Sequence, residues 1–341
     1  MPRSLCALMR TSAVPSRWAL PILLSALLFG VLLRLTAGGL GADAAETRIF
    51  LQLRVFQLFA GLLAGGSLAL AGVCVQALLR NPLASPDLLG IASGAAFGVT
   101  LSALAATGIG ASVALAGWSA PIAALIGATA TLVAVYILSQ RRGFVDPLSV
   151  VLVGVVISVM VGAASAAVRA MLPDGGVAIG RLLVGAIRDD LRMWDLWVGA
   201  LVLGCGLGVA VGIAPKLDLL AVGEDEAASM GVSVARARVV LFGLAGVLTA
   251  LSVWIAGPLA FVGLVAPHFV RLLVGPEHRV VVPLSVLAGA ALVVLSDGVV
   301  ELASRNLHIG RIPVGVVTAV VGGPVFIVLL RRHLKGSNQL A

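Results

Sequence analysis

The chain has 341 residues, 60% of them hydrophobic and only 11% charged, with a mean hydropathy of +1.13 and a formal net charge of +8. Soluble domains carry about 25% charge, so the composition excludes an ordinary soluble enzyme or binding module. The positive balance does not point to nucleic acid either, because the 23 basic residues are scattered over the ends of apolar runs, with no basic stripe interleaved with aromatics.

A membrane-spanning helix takes roughly 20 mostly apolar residues. In chain order such runs fall at 18–35, 55–79, 88–107, 111–138 and 148–171, then at 194–214, 238–257, 259–275, 280–302 and 312–331. This predicts an all-α polytopic membrane protein of about ten transmembrane helices, a single domain over 1–341 with the lipid bilayer as its solvent. Gly is abundant at 41 residues, which suits close helix packing in lipid. Lys and Arg favour the loops on the side of the N-terminus, so both termini are expected in the cytoplasm.

The basic start, the apolar run from Trp18 and Ala42-Asp43-Ala44 together mimic a cleavable signal peptide. That run is long for the apolar part of a signal, and the expectation is a retained first helix. The 55–79 run ends in Asn81-Pro82-Leu83-Ala84, and the 238–257 run ends in Gly257-Pro258-Leu259-Ala260. Each precedes a short span and five spans separate the two, the arrangement of an inverted repeat common in transporters. Asn81, Pro82 and Asp87 read as a structural turn, with Asp87 placed to cap the helix that follows it. Cys6, Cys74 and Cys205 make neither a disulfide framework nor a zinc spacing and are expected as small buried hydrophobes.

The 148–171 run carries Gly154, Ser158, Gly162 and Ser165 on a small-residue face spaced for close approach. Polar intervals between runs are short, leaving no room for a soluble domain. The densest charge lies in 223–238, GEDEAASMGVSVARAR. Glu224, Asp225 and Glu226 open a short helix whose dipole favours acids there, Ala227 and Ala228 follow, and Gly231 stops it. Either this is a solvated loop, or it is a docking helix for a cytoplasmic motor. The chain has no motor of its own: no G-x-x-x-x-G-K-[ST] phosphate loop occurs, nor G-x-S-x-G, nor a histidine pair at i, i+4. Catalysis by this chain is not expected. Pro267 and His268 are expected to serve helix packing, with a proton relay at His268 the weaker reading. Asp297 sits inside a span, where an ionisable group is costly and functional by default; it supports the rival idea of a proton-coupled secondary transporter.

Glu226-Ala227-Ala228-Ser229-Met230-Gly231 resembles the E-A-A-x-x-G coupling segment of ABC importer permeases. The longer stretch LDLLAVGEDEAASMGVSVARAR (217–238) is similar to the FecCD family, permeases for iron–siderophore complexes, haem and vitamin B12. Three more stretches agree in the same order: LLAGGSLALAGVCVQALLRNPLASPDLLG (62–90), AGPLAFVGLVAPHFVRLLVGPEHR (256–279) and IPVGVVTAVVGGPVFIVLLRR (312–332). The likeness covers roughly 48–332.

The resemblance implies a vitamin B12/siderophore-type (type II) ABC importer permease fold with an inverted five-helix repeat, in the bacterial cytoplasmic (inner) membrane. It implies a second permease copy or a paralogue, two cytoplasmic ABC ATPase subunits that bind the ATP and Mg, and a periplasmic substrate-binding protein. This chain would bind no cofactor or metal. ATPase coupling would fall in 215–237, on Glu224, Asp225, Glu226, Ala227, Ala228 and Gly231. The translocation pathway would run along Gly154, Ser158, Gly162 and Ser165, and binding-protein docking would involve Arg54, Gln57, Glu301, Arg305 and Arg311.

The outer rim departs from the family. Where R-x-P-R is usual, Arg54 is followed by Phe56 and Gln57; Glu301 replaces an Arg, and Arg311-Ile312-Pro313 replaces E-L-P. Either docking charges have been re-matched to a partner, or Glu301 and Arg311 pair with each other. The tryptophan of the family's R-W-L-x-G-S is also missing from Arg181-Leu182-Leu183-Val184-Gly185-Ala186. Asp297 is common in the family and there suggests a structural interhelical bond. Iron–siderophore is the first expectation for cargo, on the likeness of N-P-L-A-S-P-D, with haem and cobalamin as alternatives.

Overall fold

The computed structural model describes residues 16–37, 44–109, 113–141, 144–145, 147–172, 180, 183–188, 190–307 and 310–338. Cys6, Ala42-Asp43, Arg181-Leu182 and His308 lie outside them. The helices are α1 (Ser16–Ala37), α2 (Ala44–Leu79), α3 (Ile91–Ile109), α4 (Val113–Leu138), α5 (Pro147–Ala170) and α6 (Met193–Val222). There follow α7 (Glu224–Ser229), α8 (Val234–Ala256), α9 (Val262–Val274), α10 (His278–Leu307) and α11 (Val314–Asn338). A two-residue antiparallel ladder, β1 (Gln140–Arg141) with β2 (Phe144–Val145), closes the turn between α4 and α5.

Eight helices are long and apolar enough to cross a membrane, and the two shorter apolar helices α3 and α9 bring the number to ten among the described residues. Several run past the apolar stretch that marks them. α2 starts at Ala44 rather than near 55, because no proline or glycine pair interrupts 44–54, and its 36 residues extend ~54 Å. α6 carries on through Pro215 to Val222. The interval expected as a coupling loop, 215–237, is therefore mostly helical: the end of α6, then α7, then the first turn of α8.

α2 is the hub, with 83% of its most apolar stretch buried against α10, α8, α9 and α6. Two of its contacts need glycine. A Cβ on Gly65 would stand 2.3 Å from the carbonyl oxygen of Gly289 on α10, and one on Gly72 only 1.8 Å from that of Gly263 on α9. Helix association in lipid gains nothing from apolar burial as such, so backbone approach of this kind is what holds the centre together. At the periphery α5, α1, α6 and α11 bury only 17%, 22%, 22% and 28% of their apolar stretches. Their exposed Val, Leu and Met side chains suit hydrocarbon or another apolar chain. Cys74 is buried in α2, but Cys205, expected in the interior, is exposed because α6 turns most of its surface outward.

Candidate functional site

The charged segment folds as a small bracket at the end of α6. Gly223 breaks the helix with an extended backbone, and the six-residue α7 ends at Ser229 with Met230 as its C-cap. Gly231 has φ +83°, the left-handed conformation that stops a helix and that glycine adopts without a Cβ penalty. The three acids do not share one task. Glu224 turns inward, accepting a 2.5 Å hydrogen bond from Arg238 on α8 and lying 3.9 Å from Arg80 at the end of α2. Asp225 and Glu226 are exposed, as are Ala228, Gly231, Val222 and Met230, while Ala227 is buried and anchors the helix. The result is a small acidic and apolar surface on a bracket tied to two helices. Of the six residues expected at coupling, Asp225, Glu226, Ala228 and Gly231 face outward; Glu224 and Ala227 fix the bracket.

The two proline turns meet in the bundle. Asn81 closes its own turn, its Oδ1 accepting the Leu83 N–H at 2.9 Å. Asp87, expected to cap the helix after it, instead accepts the N–H of Phe261 at 2.9 Å, 174 residues away. Phe261 is the N-cap of α9 and has φ +63°, so its N–H is one that α9 leaves unsatisfied, and the carboxylate also suits the positive end of that helix. Asp87 thus caps the short helix of the other half. Gly257 ends α8 with φ +67° and leads into Pro258, with Pro267 buried and His268 half-buried on α9. One turn on, Arg271 donates to Gln76 of α2. A cavity of about 420 Å³ opens beside this junction, lined by Asp87, Ser93, Val184, Pro258, Val316 and Val320 among others.

The pathway residues on α5 divide. Gly154 packs on the 88–89 backbone, where a Cβ would come within 2.4 Å of the Leu88 carbonyl oxygen, and the Ser158 hydroxyl bonds back to Gly154 at 2.8 Å. Ser165 is buried and bonds to Val161. Gly162 is exposed, with open space where its side chain would be.

Of the five residues expected at the docking rim, Gln57 and Glu301 meet Arg34 of α1, a residue that the sequence reading missed, and Arg311 shares Asp297 with it. The Arg34 side chain is 2% exposed; Nε lies 2.5 Å from Asp297, one η nitrogen donates to Gln57, and the other lies 3.5 Å from Glu301. Arg311 donates to the other oxygen of Asp297 at 2.7 Å and lies 3.9 Å from Glu301. Two arginines therefore face two carboxylates across α1, α10 and the approach to α11. The expected Glu301–Arg311 pair is only the loose edge of this cluster, because Asp297 offers Arg311 a closer oxygen. Arg54 and Arg305 donate to the carbonyls of Leu35 and Ala37, which α1 leaves free at its C-terminus. Arg54 is buried and holds the end of α1; Arg305 is exposed and Glu301 and Arg311 are half-exposed. Arg34 gave no signal because an arginine at the end of a span reads as an ordinary boundary charge.

Among the described residues no group of three or more His, Cys, Asp or Glu could hold a metal ion. Comparison with known proteins matches residues 14–332 to the FecCD transport family. A cobalamin import system permease protein, BtuC of Halobacterium salinarum, is 33% identical over 82% of this chain and 72% of its own. The ferric enterobactin transport system permease protein FepD of Escherichia coli is 33% identical over 86% of this chain and 85% of its own. Among solved structures, an inward-facing conformation of a metal-chelate type ABC transporter superposes with a TM-score of 0.76 at 27% identity, covering 93% of this chain and 99% of that one. The chain belongs to the FecCD transport family and is a multi-pass, non-enzymatic permease subunit of an ABC importer.

Proposed function

We propose that this chain forms the membrane pathway for an iron–siderophore complex, carried from periplasm to cytoplasm across a bacterial inner membrane with both termini in the cytoplasm. Two copies, or this chain and a paralogue, complete the pore. Two ATPase subunits dock on one side and bind the ATP and Mg; a substrate-binding protein delivers cargo on the other. The observation that carries the reading is the α7 bracket: an exposed acidic and apolar face on a helix pinned by Glu224 to Arg238, in a chain with no nucleotide loop of its own. ATP binding closes the ATPase pair, moves the bracket and switches the pathway, with the energy supplied by the difference in ATP affinity between the two states. The apolar walls suit release of a bulky ligand, since affinity resides in the binding protein. At the opposite rim the half-exposed Glu301 and Arg311 and the exposed Arg305 are the groups placed to meet that protein.

The cargo choice rests on the likeness of Asn81–Asp87 to siderophore permeases, and the ferric enterobactin relative supports it. Haem and cobalamin are the alternatives, the latter supported by the Halobacterium salinarum relative. A proton-coupled transporter is disfavoured because each oxygen of Asp297 is already held by an arginine. The test is uptake in a strain lacking this chain, with and without its restoration, offering labelled ferric siderophores, haem and cobalamin under iron limitation. Restored uptake of a ferric siderophore is the expected result. Restoration of haem or cobalamin uptake overturns the cargo, and rescue of none overturns the transport reading.

A further inference from the structure

The bracket has a second anchor, on the other side of Gly223. Asp218, in the last turns of α6, accepts the backbone N–H of His278 at 3.0 Å and meets the Nδ1 of the same residue at 2.6 Å. His278 is the first residue of α10 and its ring is 7% exposed. One of the N–H groups that α10 leaves unsatisfied is thus capped by a carboxylate from another helix, where the helix dipole also favours negative charge. The pairing matters because α6 is otherwise held lightly, with most of its surface turned outward. Near its end only Leu217 and Leu220 are buried beside Asp218. α10 is the opposite: a 30-residue rod whose Asp297, 19 residues on and ~28 Å along the axis, grips Arg34 and Arg311. Arg311 lies three residues before α11 begins.

We infer that Asp218 is a positioning residue for coupling: its clasp on His278 makes the end of α6 and α10 move together, so that displacement of α7 is delivered along α10 to the Arg34–Asp297–Arg311 cluster and the start of α11. This rests on the ABC importer reading above. Glu224 delivers the same displacement to α8 through Arg238, so the bracket drives two rods through two polar pins placed either side of Gly223. A chain of contacts is not by itself proof of coupling; the proof is a ratio. A merely structural cap lowers the amount of assembled complex, and with it hydrolysis and uptake in step. A positioning residue changes the number of cargo molecules moved per ATP.

The experiment uses the complex purified through a tag on this chain, with its co-purifying ATPase, in vesicles supplied with the labelled ferric siderophore whose uptake the wild-type chain restores, presented on its substrate-binding protein. For D218A, ATPase recovered per chain stays at the wild-type level and ATP hydrolysis continues. Iron imported per ATP falls at least about fivefold, the lower end of ordinary coupling between sites. D218N keeps an oxygen that accepts both bonds and restores most of the ratio. Should D218A fail to accumulate, H278A removes the ring bond but leaves the backbone N–H, and lowers the same ratio by less. An unchanged ratio in D218A or H278A overturns the inference, as does a loss of uptake matched by an equal loss of hydrolysis. A wild-type chain that co-purifies with no ATPase overturns this inference together with the importer reading, and so is told apart from failure of the clasp alone.

Discussion

Replacing Arg34 with methionine tests the outer cluster directly. The side chain is 2% exposed and touches Asp297, Gln57 and Glu301, so the change keeps much of the volume and removes one positive charge from a set of two arginines and two carboxylates. Asp297 retains Arg311, but one carboxylate is left in excess in a largely dry site. Removing one partner of a buried pair costs about 3–5 kcal/mol, and the lower end applies because Glu301 is 27% exposed and can recruit water. Glu301→Gln alone removes a contact at 3.5 Å from a half-exposed group and costs about 1 kcal/mol or less. In the double variant R34M/E301Q the charges balance again, so its cost falls short of the sum of the two by at least about 1 kcal/mol. Reversible unfolding in mixed micelles, read for wild type, both single variants and the double variant, gives that coupling. Additive costs, agreeing within about 0.5 kcal/mol, refute the view that the four groups act as one neutral set.

Three further outcomes follow from other contacts. D87A leaves the Phe261 N–H buried without its partner and destabilises the chain by about 1–3 kcal/mol, whereas D87N, which keeps an accepting oxygen, stays within about 1 kcal/mol of wild type; equal losses in the same unfolding assay count against the cap on α9. G65A forces a Cβ to 2.3 Å from the Gly289 carbonyl oxygen and, by pushing α2 from α10, costs about 1–3 kcal/mol, while G212A, which has open space, shows no comparable loss. Asp190 is held below the ordinary carboxylate range first by its hydrogen bond from Arg188, and because its folded pKa is depressed, the pair contributes stability above the unfolded pKa that is lost as pH falls through the folded one. The contribution is small, since the Asp190 side chain is 71% exposed and screened by solvent; R188A should flatten the acid limb of the stability profile below about pH 4, and an unaltered limb excludes the pair as its source.

The membrane architecture was legible in the sequence because hydrocarbon imposes a length and a polarity that no soluble fold shares. Helix ends were less so. Nothing in 44–54 stops a helix, so α2 begins well before its apolar stretch, and Pro215 does not end α6. The short helix at 224–229 and its stop at Gly231 were legible, since acids, alanines and a glycine specify them by local chemistry, but the inward turn of Glu224 to Arg238 was not. What could not be read were partners distant in sequence. Asp87 pairs with a backbone N–H 174 residues away, and Asp297 with an arginine 263 residues before it. Asp297 advertised a need for a partner, a charge inside an apolar run, and Asp87 a cap for the wrong helix; in both the partner's identity was left to the topology. Arg34, Gln76 and Asp218 are the complementary cases: each reads as a boundary residue, and only the packing shows that it faces a polar group.

Those distant pairs divide the bundle into two kinds of attachment. α2, α9 and α10 are joined by carbonyl-to-glycine approaches such as Gly65 with Gly289 and Gly72 with Gly263, which permit one registration and are spoiled by a shift of an ångström. α1, α6 and α11 bury less than a third of their apolar stretches, and each adds a polar attachment to α10: Arg34 on α1 and Arg311 before α11 pair with Asp297, and Asp218 on α6 accepts hydrogen bonds from His278. A charged pin tolerates rotation about its side-chain torsions while holding the helices close, and it can trade partners within its cluster, as Arg311 can between Asp297 and Glu301. An importer needs a part that keeps its shape and parts that move against it. Glycine packing at Gly65 and Gly72 suits the first, and the Arg34–Asp297–Arg311 cluster, whose bonds can be exchanged, suits the second, with α10 contributing to both.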